Sequence, residues 1–242
     1  MEILRKSRRD ADDAVLKDYP SACADFSWEQ ARSWLDGLPG GGLNIAHEAV
    51  DRHAEGPAGE RTAIRWLGKA GTRREIRYRE LAELSSRFAN VLDSLGVARG
   101  AGVYLLAGRI PELYLAMLGA LKHGAVVTPL FSAFGPEPIA TRMTLGEGRV
   151  LVTTTSLYRR KVARIRDRLP SLEHVLVIRD GEDHEALPEG TRELAPLLEA
   201  AAPDYTIPAT DPETPALLHY TSGTTGKPKA STSATSGAPP RE

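Results

Sequence analysis

Pro111-Glu112-Leu113-Tyr114-Leu115-Ala116-Met117-Leu118-Gly119-Ala120-Leu121-Lys122-His123-Gly124-Ala125-Val126-Val127-Thr128-Pro129-Leu130 reads as one helix that stops and one strand that starts. Proline suits the first turn of a helix, where the N–H it lacks would have no partner anyway, so the helix is expected over 111–122. Leu113, Met117 and Leu121 recur every fourth residue and make an apolar stripe of the kind that packs into a core. Gly124 closes the helix, and Ala125 to Leu130 is a short apolar run that reads as a buried strand. The most apolar part, Leu113 to Leu121, lies between Glu112 and Lys122 and is far too short to span a bilayer.

The same alternation extends outward. Upstream, Thr62 to Leu67 and Arg74 to Tyr78 predict a strand pair joined through Gly68 to Gly71. Leu81, Leu84, Phe88, Val91 and Leu95 then recur at helical spacing, Gly96 is the stop, and Gly100 opens a strand over Val103 to Ala107. Downstream, Pro136 to Leu145 predicts a helix, Arg149 to Thr153 a strand, Ser156 to Leu169 a helix and His174 to Ile178 a strand. Strands alternating with helices imply an α/β fold with a mostly parallel sheet covered on both faces. Residues 1–43 read as a partly helical amino-terminal extension ending in Pro39-Gly40-Gly41-Gly42. Arg179 to Asp211 is charged and rich in Pro and Ala, with a weak helix at Leu194 to Ala202, and reads as a surface crossing.

Composition narrows the class. The hydrophobic fraction of 41% in 242 residues is enough for a real core. A net charge of −1 with mixed signs offers no basic surface for nucleic acid. The single cysteine, Cys23, excludes an internal disulfide framework and suits a reducing compartment. Met1 to Arg9 is charged and lacks the apolar core of a signal peptide, so a cytoplasmic protein that does not enter membranes is expected. His47, His53, His123, His174, His184 and His219 have no metal-ligand spacing, and no metal site is expected.

Chemistry concentrates near the carboxyl end, in His219-Tyr220-Thr221-Ser222-Gly223-Thr224-Thr225-Gly226-Lys227-Pro228-Lys229. The apolar run Pro215 to Tyr220 reads as a strand feeding this loop. Gly223 and Gly226 let backbone N–H groups approach an anion, while Thr221, Ser222, Thr224 and Thr225 add hydroxyl donors. Lys227 and Lys229 add positive charge. A Walker-type phosphate loop does not fit, because Lys227 is followed by Pro228 and the span from Gly223 to Gly226 is too short. A solvated Gly/Ser/Thr linker and a phosphate cradle of another kind both remain open on composition.

Residues 220–229 resemble the phosphate-loop signature of the adenylate-forming superfamily, which includes acyl-CoA synthetases, luciferases and peptide-synthetase adenylation domains. Residues 76–153 are similar to the start of such a domain. Asn44 to His53, Pro129 to Glu137 and Asp25 to Glu29 look most like acetyl-CoA synthetases, so the resemblance runs from about Asp25 to Lys229. It implies residues 44–229 as part of an AMP-binding domain, and an acetate or short-chain acyl-CoA ligase with ATP, magnesium, coenzyme A and a small carboxylate as its partners. Thr221, Ser222, Gly223, Thr224, Thr225, Gly226, Lys227 and Lys229 would hold the ATP phosphates, with Lys229 the more important lysine. Phe131 is placed like an aromatic that meets the adenine of coenzyme A, and Arg159 like an arginine that meets its 3′-phosphate; core packing and a solvated helix charge are the plain alternatives.

Where the superfamily pattern continues with a glycine and an apolar strand, Ala230-Ser231-Thr232-Ser233-Ala234-Thr235-Ser236-Gly237-Ala238-Pro239-Pro240 offers nothing to bury. Residues 230–242 are therefore expected to be a disordered tail, of the kind a frameshift or premature stop would leave. On that reading the second half of the active site is missing, and the chain is inactive alone unless a separate chain complements it. A non-enzymatic phosphate-binding or interaction fragment, and a non-functional remnant, are the alternatives.

Overall fold

The computed structural model describes residues 16, 18–180, 186–222 and 228–234. The chain divides into two units, Met1–Asp36 and Gly37–Glu242. In the first, helix α1 (Tyr19–Asp25) starts where Asp18 accepts the Ser21 N–H, and α2 (Trp28–Ser33) starts where Ser27 Oγ accepts the Gln30 N–H at 3.1 Å. Phe26 and Trp28 meet edge-on at 5.2 Å between ring centroids.

The second unit begins at Gly37, so Gly37 to Leu43, placed in the extension by the sequence reading, pack with it. Gly37 donates to Glu48 Oε1 at 2.7 Å, and the Leu43 N–H reaches the Thr210 carbonyl at 3.0 Å. Strands β1 (Thr62–Leu67) and β2 (Arg73–Arg77) form an antiparallel pair. After them α3 (Tyr78–Ser94), β3 (Gly102–Leu106), α4 (Pro111–His123), β4 (Val126–Pro129), α5 (Pro136–Leu145), β5 (Gly148–Thr154) and β6 (His174–Ile178) alternate as the apolar spacing predicts. Gly124 closes α4 in the left-handed region at φ 87°, where a Cβ would be strained, and the Ala125 N–H caps the Ala120 carbonyl at 3.0 Å. The weak helix appears as α6 (Leu194–Ala200), after the two-residue strand β7 (Arg192–Glu193). Arg87 ties the end of α6 to α3, donating to the Ala201 carbonyl at 2.6 Å.

With β8 (Pro215–Ser222) and β9 (Pro228–Ala234) the sheet runs β7-β6-β5-β3-β4-β8-β9, parallel as far as β8 and antiparallel only at β9. Residues alternate between its faces, as the period of two demands. Val103, Leu105, Val150, Val152 and Leu176 point into one core with α3 and α4; Tyr104, Leu106, Leu151, Val175 and Val177 point into another with α5. Both faces are thus covered. Lys122, a polar stop in the sequence, lies inside the first core, 1% exposed, with its ammonium 2.7 Å from Asp51.

Two expectations need correcting. The helix predicted over 156–169 is a single α-turn (Thr155–Leu157), a π-helical turn (Tyr158–Val162) and a 3₁₀ stretch (Ala163–Arg168). Its apolar spacing reports which residues are buried, Tyr158, Val162, Ile165 and Leu169. Spacing does not fix the hydrogen-bond ring size, and here side chains pull on the backbone: Lys161 donates to loop carbonyls and Arg166 to the Leu169 and Leu172 carbonyls. The second correction concerns residues 230–234, which are not a disordered tail but most of β9, with Ala234 2% exposed. Backbone pairing with β8 from Pro215↔Ala234 to Ser222↔Pro228 supplies what the small side chains do not. Residues 235–242 lie outside the described residues.

Candidate functional site at the carboxyl edge of the sheet

From β3 the chain crosses to β4 on one side, and from β5 it crosses to β6 on the other. The carboxyl ends of β3 and β5 therefore flank a topological switch point, where an open α/β sheet leaves a crevice for ligand. A cavity of about 610 Å³ opens there. Gly108 and Ile110 after β3, Ser132 after β4, Thr154 and Ser156 at the end of β5, and Asp180 after β6 contribute to its walls, with Lys69, Arg160 and Arg179 as cations on them.

The turn after β5 is held twice. Thr154 Oγ1 accepts the Leu157 N–H at 3.3 Å, and Asp180 accepts the Ser156 N–H at 3.0 Å and the Thr155 hydroxyl at 2.7 Å, as well as the Ser156 hydroxyl. Burial opposes ionisation of Asp180, but the bonds from Ser156 and Thr155 outweigh it and hold the carboxyl below its ordinary range. Arg160 folds back on the same turn, its Nε donating to the Ser156 carbonyl at 3.2 Å.

Phe131 follows β4 and is 65% exposed, its ring edge-on to Phe134 at 5.6 Å. That degree of exposure excludes the core-packing alternative for Phe131. Arg159 is half-buried and donates to the Ala186 carbonyl at 2.8 Å, so it is more than a solvated charge. Lys161 clips the two segments together, donating to the Ser132 carbonyl at 2.6 Å and the Phe134 carbonyl at 2.7 Å. Residues 131 and 159 thus stand on two segments that Lys161 joins, the loop after β4 and the π-helical turn that follows β5.

Because β8 runs parallel to β4, its last residues, Thr221 and Ser222, point the same way as the other carboxyl ends. Thr221 lies directly across from Lys229 on β9, and both are exposed. Gly223, Thr224, Thr225, Gly226 and Lys227 lie outside the described residues. One residue earlier, the Tyr220 hydroxyl donates to the Arg142 carbonyl at 2.7 Å and lies 2.9 Å from the buried Tyr104 hydroxyl. Burial raises the pKa of both phenols, so both remain protonated. Neither this pair nor Asp180 nor Lys161 carries a local sequence signal, since each acts on a segment far away in the chain.

Among the described residues no three His, Cys, Asp or Glu side chains gather as they would around a metal ion. None of the described helices is long and apolar enough to cross a membrane.

Comparison with known proteins agrees with this geometry. The family described as AMP-binding enzyme matches residues 50–233, a span that includes β9 almost to its end. The chain is 38% identical over 221 residues to an acetyl-coenzyme A synthetase of Bacillus subtilis, covering 90% of this chain and 37% of that protein. It is 34% identical over 219 residues to an acetyl-coenzyme A synthetase of Streptomyces coelicolor, covering 87% and 33%. A crystal structure of a Brucella canis acyl-CoA synthetase superposes with a TM-score of 0.79 at 30% identity, over 90% of this chain and 38% of that one. The chain therefore spans between about a third and two fifths of the length of these three relatives. With a parallel sheet, a crevice at its switch point and the motif strand β8 leading to the same edge, this chain belongs to the AMP-binding enzyme family.

Proposed function

We propose that the chain provides the amino-terminal part of an acetate or short-chain acyl-CoA ligase. In that reaction a carboxylate oxygen attacks the α-phosphorus of ATP, the bond to the β-phosphate breaks, and pyrophosphate leaves. The thiolate of coenzyme A then attacks the acyl carbon and expels AMP. The described residues would serve the two ends of this sequence. Thr221, Ser222 and Lys229, at the mouth of the β8–β9 hairpin, would receive the β- and γ-phosphates, where positioning and charge neutralisation dominate. Phe131 would stack on the adenine of coenzyme A, and Arg159 would meet its 3′-phosphate. Magnesium would arrive with the nucleotide.

The observation that carries this reading is the juxtaposition of Thr221 and Lys229 at the carboxyl end of a strand parallel to β4, within the span matched by the family. On this reading the chain by itself binds pyrophosphate but completes no reaction. Two measurements test it. Calorimetric titration should show pyrophosphate binding that Lys229→Ala weakens by roughly tenfold, the loss of one charge-assisted contact. Acetate-dependent exchange of labelled pyrophosphate into ATP should be absent. Undiminished binding by Lys229→Ala refutes the site, and robust exchange refutes the claim that the chain is insufficient.

A further inference from the structure

Strands β5 and β4 both pair with β3, one on each side, so their carboxyl ends lie about two strand spacings apart, about 10 Å. Phe131 follows one of these ends and Arg159 the other. Something must bridge the gap if the two are to act together. The π-helical turn after β5 buries Tyr158 and Val162 in the core and leaves residues 159–161 at least partly exposed. From that turn the Lys161 ammonium reaches the loop after β4, committing two of its three N–H donors to the Ser132 and Phe134 carbonyls, at 2.6 and 2.7 Å.

Those two carbonyls belong to the loop that carries Phe131. The loop is anchored at its start, where the Leu130 N–H reaches the Leu105 carbonyl at 2.8 Å, and drawn into a turn by the Phe134 N–H on the Phe131 carbonyl at 2.9 Å. The exposed Phe131 ring meets Phe134 edge-on, and the Phe134 ring lies 4.3 Å beneath the Arg142 guanidinium. Of these contacts only the Lys161 pair reaches the turn after β5. The placement of residue 131 relative to residue 159 is therefore set through residue 161.

We propose that Lys161 is a positioning residue for coenzyme A, holding the Phe131 ring ordered beside the Arg159 turn before the nucleotide arrives. The proposal rests on the functional reading above, which assigns the adenine to Phe131 and the 3′-phosphate to Arg159. A loop already ordered receives the adenine directly. A loop free to move must be ordered by the ligand, and that entropy is subtracted from the affinity. Lys161 acts through the loop and does not itself touch the ligand.

Two measurements test this role. The first uses the chain without ligand: in Lys161→Met, which keeps the stem and removes the ammonium, the Phe134 amide hydrogen should exchange about tenfold faster. Amides of β3 and β5 should exchange as in the parent, which shows that the variant folds. The second is calorimetric titration with coenzyme A and with dephospho-coenzyme A, which lacks the 3′-phosphate. In the parent, Phe131→Ala should weaken coenzyme A binding about tenfold, the loss of a base stacked on an aromatic ring. In the Lys161→Met background the same substitution should weaken it at most about twofold, because the ring is no longer held in place. Lys161→Met by itself should weaken both ligands by the same factor, about fivefold. A loss that vanishes with dephospho-coenzyme A makes the ammonium a direct phosphate contact and overturns the positioning role. An unchanged Phe134 exchange rate, or a Phe131 dependence undiminished in Lys161→Met, overturns it too, and all three leave the functional reading standing. Coenzyme A binding that Phe131→Ala does not weaken in the parent, or no binding at all, overturns the reading at this end together with the role of Lys161.

Discussion

Removing Asp51 should destabilise the fold far more than removing the lysine it faces. Lys122 Nζ is enclosed by Asp51 Oδ1 at 2.7 Å, the Ala82 carbonyl at 2.9 Å and Ser86 Oγ at 3.0 Å, and its side chain is 2% exposed. In Asp51→Ala the ammonium stays buried with two dipoles and no counter-charge. At an effective dielectric of 20 a 2.7 Å pair is worth about 6 kcal/mol. The two remaining acceptors and water entering the vacated space return part of this, so a net loss of about 3–4 kcal/mol is expected. In Lys122→Met the apolar stem is kept and the charge removed. Asp51, 22% exposed, can turn to water, and the loss should be about 1 kcal/mol. Urea unfolding separates the two: with a slope near 3 kcal/mol/M, Asp51→Ala lowers the midpoint by about 1 M and Lys122→Met by about 0.3 M.

The same pair has a pH signature. Burial pulls the Lys122 ammonium below its ordinary 10.5, although Asp51 opposes the shift. The unfolded chain therefore binds more protons between the folded value and 10.5, and stability attributable to this group rises with pH across that window. Lys122→Met should remove that rise. Equal losses in the two variants, or a loss below about 1 kcal/mol in Asp51→Ala, would mean the pair contributes only packing.

Two further outcomes follow from close contacts elsewhere. Gly119 sits where α4 crosses α3, and a Cβ there would lie 2.5 Å from the Ser85 carbonyl oxygen and 2.7 Å from Phe88 Cβ. Gly119→Ala should therefore lower stability by about 2 kcal/mol despite a helix-propensity gain of about 1 kcal/mol, a loss read from the thermal midpoint. Asp180 has a folded pKa below 3.8, so its contribution is present above 3.8 and lost as pH falls through the folded value. The urea midpoints of the parent and Asp180→Asn should differ at pH 6 and draw together as pH falls below 3.8 through the folded value; a gap that stays constant would show that ionisation of Asp180 does not matter.

The parts of the fold that the sequence displays are those whose own neighbours decide them. Strands β3, β5 and β6 and helices α3, α4 and α5 appear within a residue or a few of expectation, because each carries its burial pattern locally. Strand β9 was hidden for the opposite reason: Lys229-Ala230-Ser231-Thr232-Ser233-Ala234 has little apolar surface, and its pairing is dictated by β8. Lys122 was hidden because hydropathy counts a lysine as surface, whereas its partners at 51, 82 and 86 come from three other places in the chain.

The candidate site divides in the same way. Thr221 and Lys229 could be named from the motif, since hydroxyls, glycines and lysines in one run need no tertiary information to suggest an anion. The crevice could not, because the switch point exists only once β3 is known to lie between β4 and β5. That strand order also brings the carboxyl ends of β4 and β8 to the same edge and lays α5 against the sheet, so that one arginine spans from Phe134 to Tyr220. The run proposed to bind phosphate would, on a free strand, have only its own donors. Anchored through Tyr220 to the Arg142 carbonyl, it takes its position from α5, and so from whatever holds the segment that leads into α5.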